Sequence, residues 1–187
     1  MIKNIFTIME TDIKEVLFTN EEIHKKLEIL GEQISKDYYG KDLLLVGILN
    51  GACMFLADLV KYIKIPVQID FMGLKSYEGI HNKESIKITK DLKINPHNKH
   101  IIIIEDIIDT GKTMEWLLKH FKLNKCSSVE LCILLEKETE RRDRDFDTKY
   151  LAFKCSDVWV VGYGFDYNEY YRNLSYIGEL KEEIYKN

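Results

Sequence analysis

Continuous apolar runs that alternate with amphipathic segments constrain this chain more than any other feature. The runs DLLLVGILNGA, residues 42–52, and IIIIED, residues 101–106, lack the polar alternation of a strand with one solvated face. Each run therefore predicts a strand that is buried on both faces of a parallel sheet. The segments 53–63 and 114–124, which follow these runs, have apolar residues at helical spacing. Strands that alternate with helices predict an α/β fold in which helices flank a parallel sheet.

The other segments complete a single domain over residues 1–187, as expected for a chain of this length. Residues 20–38 have helical periodicity, with Asn20 placed to cap the helix and two acids in its first turn. Further strands are predicted at VQIDFMGL, SVELCILLEK and VWVVGYGFDYN, and the N- and C-terminal segments are left to form a small hood. Residues 75–99 are polar, and two interpretations stay open for them: a solvated hairpin and a mobile flap.

Composition narrows the partners and the compartment. The 31 acidic and 27 basic residues are spread along the chain with a net charge of −4, and no basic stripe marks a nucleic-acid partner. The four cysteines form no CxxC pair, which indicates free thiols in a reducing compartment. The five histidines show no spacing typical of metal ligands. The N-terminus lacks a secretory apolar core, and no apolar run reaches the length of a membrane span. We expect a soluble cytoplasmic protein with no nucleic-acid or membrane partner.

The stretch EDIIDTGKT, residues 105–113, places acids directly before a turn that suits an anion. Glu105 and Asp106 close an apolar run, so we expect them at the carboxyl edge of the sheet, where open parallel sheets bind ligands. Residues 110–113 lead into a helix, and the unpaired N–H groups of a helix N-terminus attract phosphate. A glycine in this turn lets the backbone approach the anion closely, and threonine hydroxyls add donors.

The carboxylates of Glu105 and Asp106 must bind a chemical group other than the phosphate. A Walker A loop is excluded, because that motif requires a glycine where Asp106 stands. Vicinal sugar hydroxyls or a divalent metal both suit carboxylates, so a sugar 5-phosphate fits the whole stretch. Asp109 lies between the two groups and can take a proton from an incoming nucleophile or stabilise a cationic sugar transition state. The plain alternative is that the acids only cap the helix and decorate a turn.

The longer stretch IIIIEDIIDTGKTM resembles the phosphoribosyl pyrophosphate loop of the type I phosphoribosyltransferases, and of their hypoxanthine-guanine branch in particular. The resemblance spans five segments in order over most of the chain. It implies that Glu105 and Asp106 hold the ribose hydroxyls, with or without metal. It also implies that the turn wraps the 5-phosphate. Asp109, the acid of this turn, would be the general base toward the purine ring nitrogen. The turn consists of Asp109, Thr110, Gly111, Lys112 and Thr113.

Two segments carry the resemblance in the first half of the chain. GILNGAC is similar to the family's pyrophosphate loop, which implies pyrophosphate contacts from Asn50 and Gly51 and a cis peptide bond between Leu49 and Asn50. Many relatives carry Lys or Arg at the position of Asn50, so its contribution is expected to be weaker or to come from backbone N–H groups. An ordinary strand-to-helix turn is the alternative. Ser76 and Tyr77 resemble the start of the family's flexible lid, although the residues after them depart from its pattern.

LLEKETERRD and DVWVVGYGFDYNEYYRNL carry the resemblance in the second half. Lys137 is similar to the lysine that donates to the exocyclic oxygen of a 6-oxopurine, and its donors favour a carbonyl over the amino group of adenine. Trp159 stands at the position of the family's stacking aromatic, and Val160 would contact the base through its backbone. Asp166 resembles the acid that ligates a second Mg²⁺ and orients the base, and Arg172 resembles the arginine that clamps pyrophosphate. The alternatives are that Lys137 is a solvated surface lysine, that Trp159 is a core aromatic, and that Arg172 forms a surface salt bridge.

The resemblance implies a purine salvage enzyme that transfers phosphoribosyl from phosphoribosyl pyrophosphate to hypoxanthine or guanine. The implied cofactor is Mg²⁺, with Glu105, Asp106 and Asp166 as ligands, and the implied assembly is a homodimer or homotetramer. Two other functions stay open. One is a relative that prefers xanthine, because Lys137 cannot distinguish substituents at the purine 2-position. The other is an RNA-binding regulator on the same fold, which the acidic balance of the chain disfavours.

Overall fold

The computed structural model describes residues 9–78, 84–139 and 146–186, which form two sheets with helices around the larger one. The strands are Ile13–Phe18 (β1), Leu43–Leu49 (β2), Gln68–Glu78 (β3), Glu84–Lys90 (β4), His100–Ile108 (β5), Ser128–Glu138 (β6), Tyr150–Ser156 (β7), Val160–Val161 (β8) and Ile177–Leu180 (β9). The main helices are Asn20–Asp37 (α1), Ala52–Leu59 (α2), Lys112–Leu123 (α3) and Glu182–Tyr185 (α4), and a 3₁₀ turn, Val60–Tyr62, follows α2.

A six-stranded sheet with the order β4-β3-β2-β5-β6-β7 forms the centre of the molecule. Neighbouring strands pair in parallel, except that β3 and β4 pair antiparallel. Alternate residues of β2 face opposite layers: Leu43 and Leu45 pack in one core with α1 and α2, whereas Leu44 and Val46 pack in another with α3. The sheet is therefore buried on both faces, and the predicted α/β fold is confirmed.

Strand β5 is longer than the sequence analysis predicted. The run IIIIED placed the end of the strand at Glu105 and Asp106, but pairing with β6 continues as far as Ile108. Glu105 and Asp106 therefore lie within the last part of the strand rather than at its end. The reason is that the following residues are isoleucines, whose β-branched side chains favour the extended backbone and continue the ladder.

The N-cap of α1 also differs from the prediction. Thr19, and not Asn20, caps the helix: its hydroxyl accepts a hydrogen bond from the backbone N–H of Glu22, whose carboxylate accepts one from the N–H of Thr19. This reciprocal pair satisfies two backbone donors at once, as in a capping box. Asn20 is instead the first helical residue, and its side-chain nitrogen donates to the carbonyl of Ser175 at 2.9 Å.

The terminal segments form a separate three-stranded antiparallel sheet, β1-β9-β8, which we call the hood. Its assembly from both ends of the chain was predicted. The segment VWVVGYGFDYN was predicted to be one strand, but the strand is only Val160–Val161 and belongs to the hood. The backbone leaves the extended conformation there because Gly162 and Gly164 adopt φ angles of +92° and +104°, which favour glycine.

Residues 75–99 contain an antiparallel hairpin, as one of the two open interpretations predicted. Strands β3 and β4 pair from Gly73 to Glu78, and the tip, residues 79–83, lies outside the described residues. Each of the four cysteines is a free thiol, as expected. Within the described ranges, no helix is both long enough and apolar enough to cross a membrane.

Candidate active site

The turn between β5 and α3 has the geometry of an anion site. Gly111 precedes the helix with a φ of +82°, and no side-chain hydrogen bond caps the helix N-terminus. Backbone N–H groups and the positive end of the helix dipole therefore face this turn. A cavity of about 160 Å³ opens there, which we call the small cavity. Its lining residues are Glu105, Ile107, Ile108, Asp109, Thr110, Gly111, Thr113 and Met114.

The structure thus brings the predicted phosphate-binding residues together, with one exception. Lys112 begins α3, but its side chain is exposed and is not among the residues that line the small cavity. The first turn of a helix offers its backbone to an anion regardless of its side chains. The contribution of Lys112 to phosphate binding is therefore expected to come from its main chain.

The two acids of β5 form an electrostatically strained pair. Burial raises the pKa of Glu105 well above its ordinary value, and the neighbouring charge of Asp106 raises it further. Burial likewise raises the pKa of Asp106 to about 6, although hydrogen bonds from backbone N–H groups oppose the shift. Among the described residues, the buried Oε2 atom of Glu105 has no hydrogen-bond partner. A buried acceptor without a partner is costly, so this pair is suited to a ligand that brings hydroxyl donors or a cation.

Two loops meet close to Asp106 of β5. A Cβ atom on Gly51 would lie 1.7 Å from Oδ2 of Asp106, and one on Gly164 would lie 2.2 Å from the carbonyl oxygen of Gly51. Only glycine allows such close approaches. The predicted cis peptide bond between Leu49 and Asn50 is confirmed, and Asn50 is exposed at the start of this loop. The structure therefore places the predicted pyrophosphate loop next to the predicted ribose site.

Arg172 is held by the loop that connects β8 to β9. Its Nη2 atom lies 2.7 Å from Oδ1 of Asp166 and 3.0 Å from Oε2 of Glu169, and Nη1 donates to the carbonyl of Gly164 at 2.7 Å. The charge of Arg172 lowers the pKa of Asp106 and the charge of Asp166 raises it, although burial is the larger influence. These charges therefore act on one another across the junction between the hood and the central sheet.

A second cavity, of about 610 Å³, adjoins the small one, and we call it the large cavity. It contains the predicted purine-binding residues Lys137, Trp159, Val160 and Asp166. Asp109 and Ile107 line both cavities. The predicted general base therefore lies on the boundary between the small cavity and the larger, partly aromatic cavity. The other lining residues are Asp106, Asp157, Val158, Phe165, Glu179, Glu182, Tyr185 and Lys186.

Two side chains of the large cavity have the properties expected of base-binding groups. Trp159 is 42% exposed, and its ring packs against Tyr167 at 5.4 Å and Tyr185 at 5.1 Å between centroids. A partly open indole offers a face for stacking. The Nζ atom of Lys137 lies 3.6 Å from Oδ1 of Asp157, which is a long ion pair. A carbonyl of a ligand can accept from an ammonium placed in this way.

The predicted metal ligands do not form a complete metal site by themselves. Within residues 9–78, 84–139 and 146–186, no three His, Cys, Asp or Glu side chains are grouped so as to hold a metal ion. Mg²⁺ commonly binds through one or two carboxylates together with waters and substrate phosphates. The orphaned oxygen of Glu105 and the raised pKa of Asp106 fit this partial role. Glu105, Asp106 and Asp166 therefore suit a metal that arrives with a ligand.

The structure describes the two predicted lid residues only in part. Ser76 and Tyr77 lie in β3, opposite Ile86 and Ser85 of β4, but their side chains are outside the described part of the structure. The lid therefore stays a prediction.

The sequence analysis did not single out Asp157, Glu179 or Tyr185, which also line the large cavity. An acid in the apolar strand IGEL was the one available signal for Glu179.

Comparisons with known proteins agree with this arrangement. A family model described as Phosphoribosyl transferase domain matches residues 15–168. The chain is 46% identical over 180 residues to the hypoxanthine-guanine phosphoribosyltransferase of Staphylococcus aureus (strain Mu50 / ATCC 700699), covering 96% of this chain and 100% of that protein. It is 45% identical over 179 residues to the protein of the same name from Streptococcus mutans serotype c (strain ATCC 700610 / UA159), covering 95% and 99%.

A solved structure shows the same likeness in three dimensions. A crystal structure of a hypoxanthine phosphoribosyltransferase from Staphylococcus aureus, in a tetragonal space group, superposes with a TM-score of 0.91. The sequence identity is 46%, and the match covers 96% of this chain and 98% of the other. The likeness therefore extends over both the central sheet and the hood.

Proposed function

The chain belongs to the phosphoribosyltransferase family, and from this membership we propose that it acts in purine salvage. It transfers the phosphoribosyl group of phosphoribosyl pyrophosphate to hypoxanthine or guanine, giving IMP or GMP and pyrophosphate. The observation that carries the proposal is that Asp109 lines both cavities. A phosphorylated pentose in the small cavity would meet a base in the large cavity at this acid.

The small cavity supports the proposal through its match to a ribose 5-phosphate. The 5-phosphate binds at the N-terminus of α3, where backbone N–H groups and the hydroxyls of Thr110 and Thr113 are donors. The ribose hydroxyls donate to Glu105 and Asp106, which relieves the buried and unpartnered oxygen of Glu105. Because these carboxylates lie beside the sugar, they also stabilise positive charge that develops on it in the transition state.

The large cavity supports the choice of base. The purine stacks on Trp159, contacts the backbone of Val160, and places its exocyclic oxygen near the ammonium of Lys137. An ammonium has donors only, so it accepts a 6-oxopurine and disfavours the 6-amino group of adenine. The attacking ring nitrogen bonds to the anomeric carbon as the bond to pyrophosphate breaks, and Asp109 takes the proton of that nitrogen.

The pyrophosphate loop and Arg172 support the release of the leaving group. Gly51 brings its backbone against Asp106, and Asn50 is exposed beside it. The forked guanidinium of Arg172 suits pyrophosphate oxygens, which would compete with Asp166 and Glu169 for it. When bound through Glu105, Asp106 and Asp166, Mg²⁺ would neutralise charge on the departing pyrophosphate.

The proposal extends to the setting of the reaction. We place the enzyme in the cytoplasm, where its free thiols would stay reduced, and we propose a homodimer or homotetramer. The assembly rests on family resemblance, and sedimentation equilibrium of the purified chain would measure it directly. A single species with the mass of one chain, 22.1 kDa, would contradict it.

One substrate panel tests the proposed function. The purified protein is incubated with phosphoribosyl pyrophosphate, Mg²⁺ and either adenine, hypoxanthine, guanine or xanthine, and pyrophosphate release is measured. We expect turnover with hypoxanthine and guanine and none with adenine. Turnover with xanthine alone would identify the xanthine-preferring alternative. An absence of turnover with every 6-oxopurine, together with a shift of RNA in a gel, would favour the regulator instead.

A further inference from the structure

A buried carboxylate in the large cavity has no role in the reaction described above. Glu179 lies in β9 and is only 4% exposed, yet it lines the same cavity as Lys137, Trp159 and Val160. Its strand reads IGEL and is otherwise apolar or glycine. A buried charge is costly unless it is paired, so an acid in such a strand calls for an explanation.

The register of the hood places Glu179 beside the predicted base contact. Strands β8 and β9 pair antiparallel, with Val160 directly opposite Glu179. Side chains of directly opposed residues leave the sheet on the same face, with Cβ atoms about 4.5–5.5 Å apart. The side chain of Glu179 therefore projects on the same face as that of Val160, and both residues line the large cavity together with Trp159.

Part of the acceptor capacity of this carboxylate is used. Oε1 of Glu179 accepts a hydrogen bond from Nζ of Lys14 at 2.8 Å, and the Lys14 side chain is itself largely exposed. This hydrogen bond and the negative charge of Glu179 raise the pKa of Lys14. A carboxylate has about four lone-pair sites on its two oxygens, and the hydrogen bond from Lys14 occupies one of them. The Glu179 side chain therefore has acceptor capacity left for a ligand in the large cavity, which it lines.

The 6-oxopurines differ from one another in the group at the 2-position, and a carboxylate acceptor can distinguish these groups. Guanine has an amino group there, which donates, xanthine has a carbonyl, which accepts, and hypoxanthine has only hydrogen. A carboxylate accepts hydrogen bonds and cannot donate them. It therefore attracts the 2-amino group of guanine and repels the 2-carbonyl of xanthine. Lys137, which is a donor, instead binds the carbonyl at the 6-position.

We propose that Glu179 is the residue that reads the purine 2-substituent, favouring guanine and excluding xanthine. This inference rests on the proposed function, because it assumes that the large cavity binds a 6-oxopurine. It commits the chain to guanine as a substrate and against the xanthine-preferring alternative. The competing explanation is structural: Glu179 only ties β9 to β1 through Lys14.

The test compares two variants that break the same ion pair from opposite sides. Glu179→Gln keeps the shape of the side chain but replaces the acceptor-only group with one that can also donate. Lys14→Gln removes the same ion pair and leaves the carboxylate in place. For each protein, kcat/KM is measured with guanine, hypoxanthine and xanthine at saturating phosphoribosyl pyrophosphate, and hypoxanthine is the internal reference because it lacks a 2-substituent.

We expect the guanine-to-hypoxanthine ratio of kcat/KM to fall by about tenfold to a hundredfold in Glu179→Gln, as for a lost hydrogen bond to a charged group. The xanthine-to-hypoxanthine ratio should rise in the same variant, and both ratios should stay within about twofold of wild type in Lys14→Gln. Equal ratios in Glu179→Gln and wild type would overturn the inference, as would equal changes in the two variants. A wild-type enzyme inactive on hypoxanthine and guanine would instead overturn the proposed function.

Discussion

Asp109 is the residue on which the proposed chemistry depends most directly. It lies on the boundary between the two cavities, whereas phosphate binding in the small cavity relies on the helix N-terminus. Replacing Asp109 with Asn removes the proton acceptor and preserves the size of the side chain. We expect kcat to fall by about 10²–10⁴-fold, which is the usual contribution of a positioned base. The affinity for phosphoribosyl pyrophosphate, measured by calorimetry, should change little, and unchanged turnover would remove Asp109 from the mechanism.

Lys137 allows a second test, on recognition of the base. Replacing it with Met removes the donor to the purine 6-oxygen but retains the length of the side chain. We expect KM for hypoxanthine to rise by about tenfold to a hundredfold, because a charged hydrogen bond is lost. Lys154→Met is the matched control, since Lys154 is an exposed lysine on the neighbouring strand β7. Equal kinetics in the two variants would assign Lys137 to the solvated surface.

The predicted site residues were found from short contiguous motifs, and the missed ones come from contacts between distant segments. The turn from Asp109 to Thr113 and the cis bond before Asn50 are encoded locally, so the sequence alone located them. Glu179 reaches the large cavity only because β9 pairs with β8 in one register. No local pattern in the chain specifies that register, so a single sequence could not predict that Glu179 lines the cavity.

The hairpin of β3 and β4 is anchored by one buried acid. Oδ2 of Asp70 accepts hydrogen bonds from the backbone N–H groups of Lys93 and Ile94 at 2.6 and 2.9 Å, and Oδ1 accepts one from Phe71 at 2.8 Å. Burial by itself would raise the pKa of Asp70, but these donors and the ammonium of Lys90 outweigh it, so the pKa is lowered. The charged form of Asp70 therefore stabilises the base of the hairpin.

Asp70→Asn should destabilise the fold by about 1.5–3 kcal/mol at pH 7, the range for hydrogen bonds to a charged group. An amide has only one oxygen, so in either orientation its NH₂ group would face backbone donors. Because the folded-state pKa of Asp70 is depressed, its stabilisation is present above the unfolded pKa of about 3.9 and is lost as the pH falls below it. Urea unfolding at several pH values should show the difference from wild type shrinking in acid.

The control for this experiment is Asp91→Asn, because within the described part of the chain the carboxylate of the exposed Asp91 accepts a hydrogen bond only from the adjacent N–H of Leu92. We expect its unfolding free energy to remain within about 0.5 kcal/mol of wild type. A difference between wild type and Asp70→Asn that does not depend on pH would contradict the electrostatic account of the anchor.

Helices and strands were predictable where their patterns were strong. The buried runs of β2 and β5 and the periodic helices α1 and α3 were located from the sequence, although their ends moved by a few residues. Strand β7, which reads YLAFKCS, was missed because its apolar and polar residues mix and it lies at the edge of the sheet. The short β8 was overextended because two glycines in the segment redirect the backbone.

The two sheets depend on each other at the active site. The hood contributes the loop between β8 and β9, and the central sheet contributes the β2–α2 turn and the acids of β5. These parts touch where Gly164 meets the carbonyl of Gly51 and where Gly51 meets the side chain of Asp106. In the proposed function, the contact between these two glycines therefore aligns the base in the large cavity with the ribose phosphate in the small one. A side chain at either glycine would separate the two halves of the site.

Gly164→Ala tests this alignment, and Gly40→Ala is its matched control. Both glycines have positive φ angles, +104° and +73°, so an alanine at either position strains the backbone. A Cβ on Gly40 would meet nothing within 4 Å, whereas one on Gly164 would lie 2.2 Å from the backbone of Gly51. We expect each variant to lose about 1–2 kcal/mol of stability from backbone strain. Only Gly164→Ala should also lose kcat/KM, by about 10²-fold, because displacing the hood misplaces the base relative to the ribose. Equal kcat/KM in the two variants would show that the two halves of the site do not depend on this contact for their alignment.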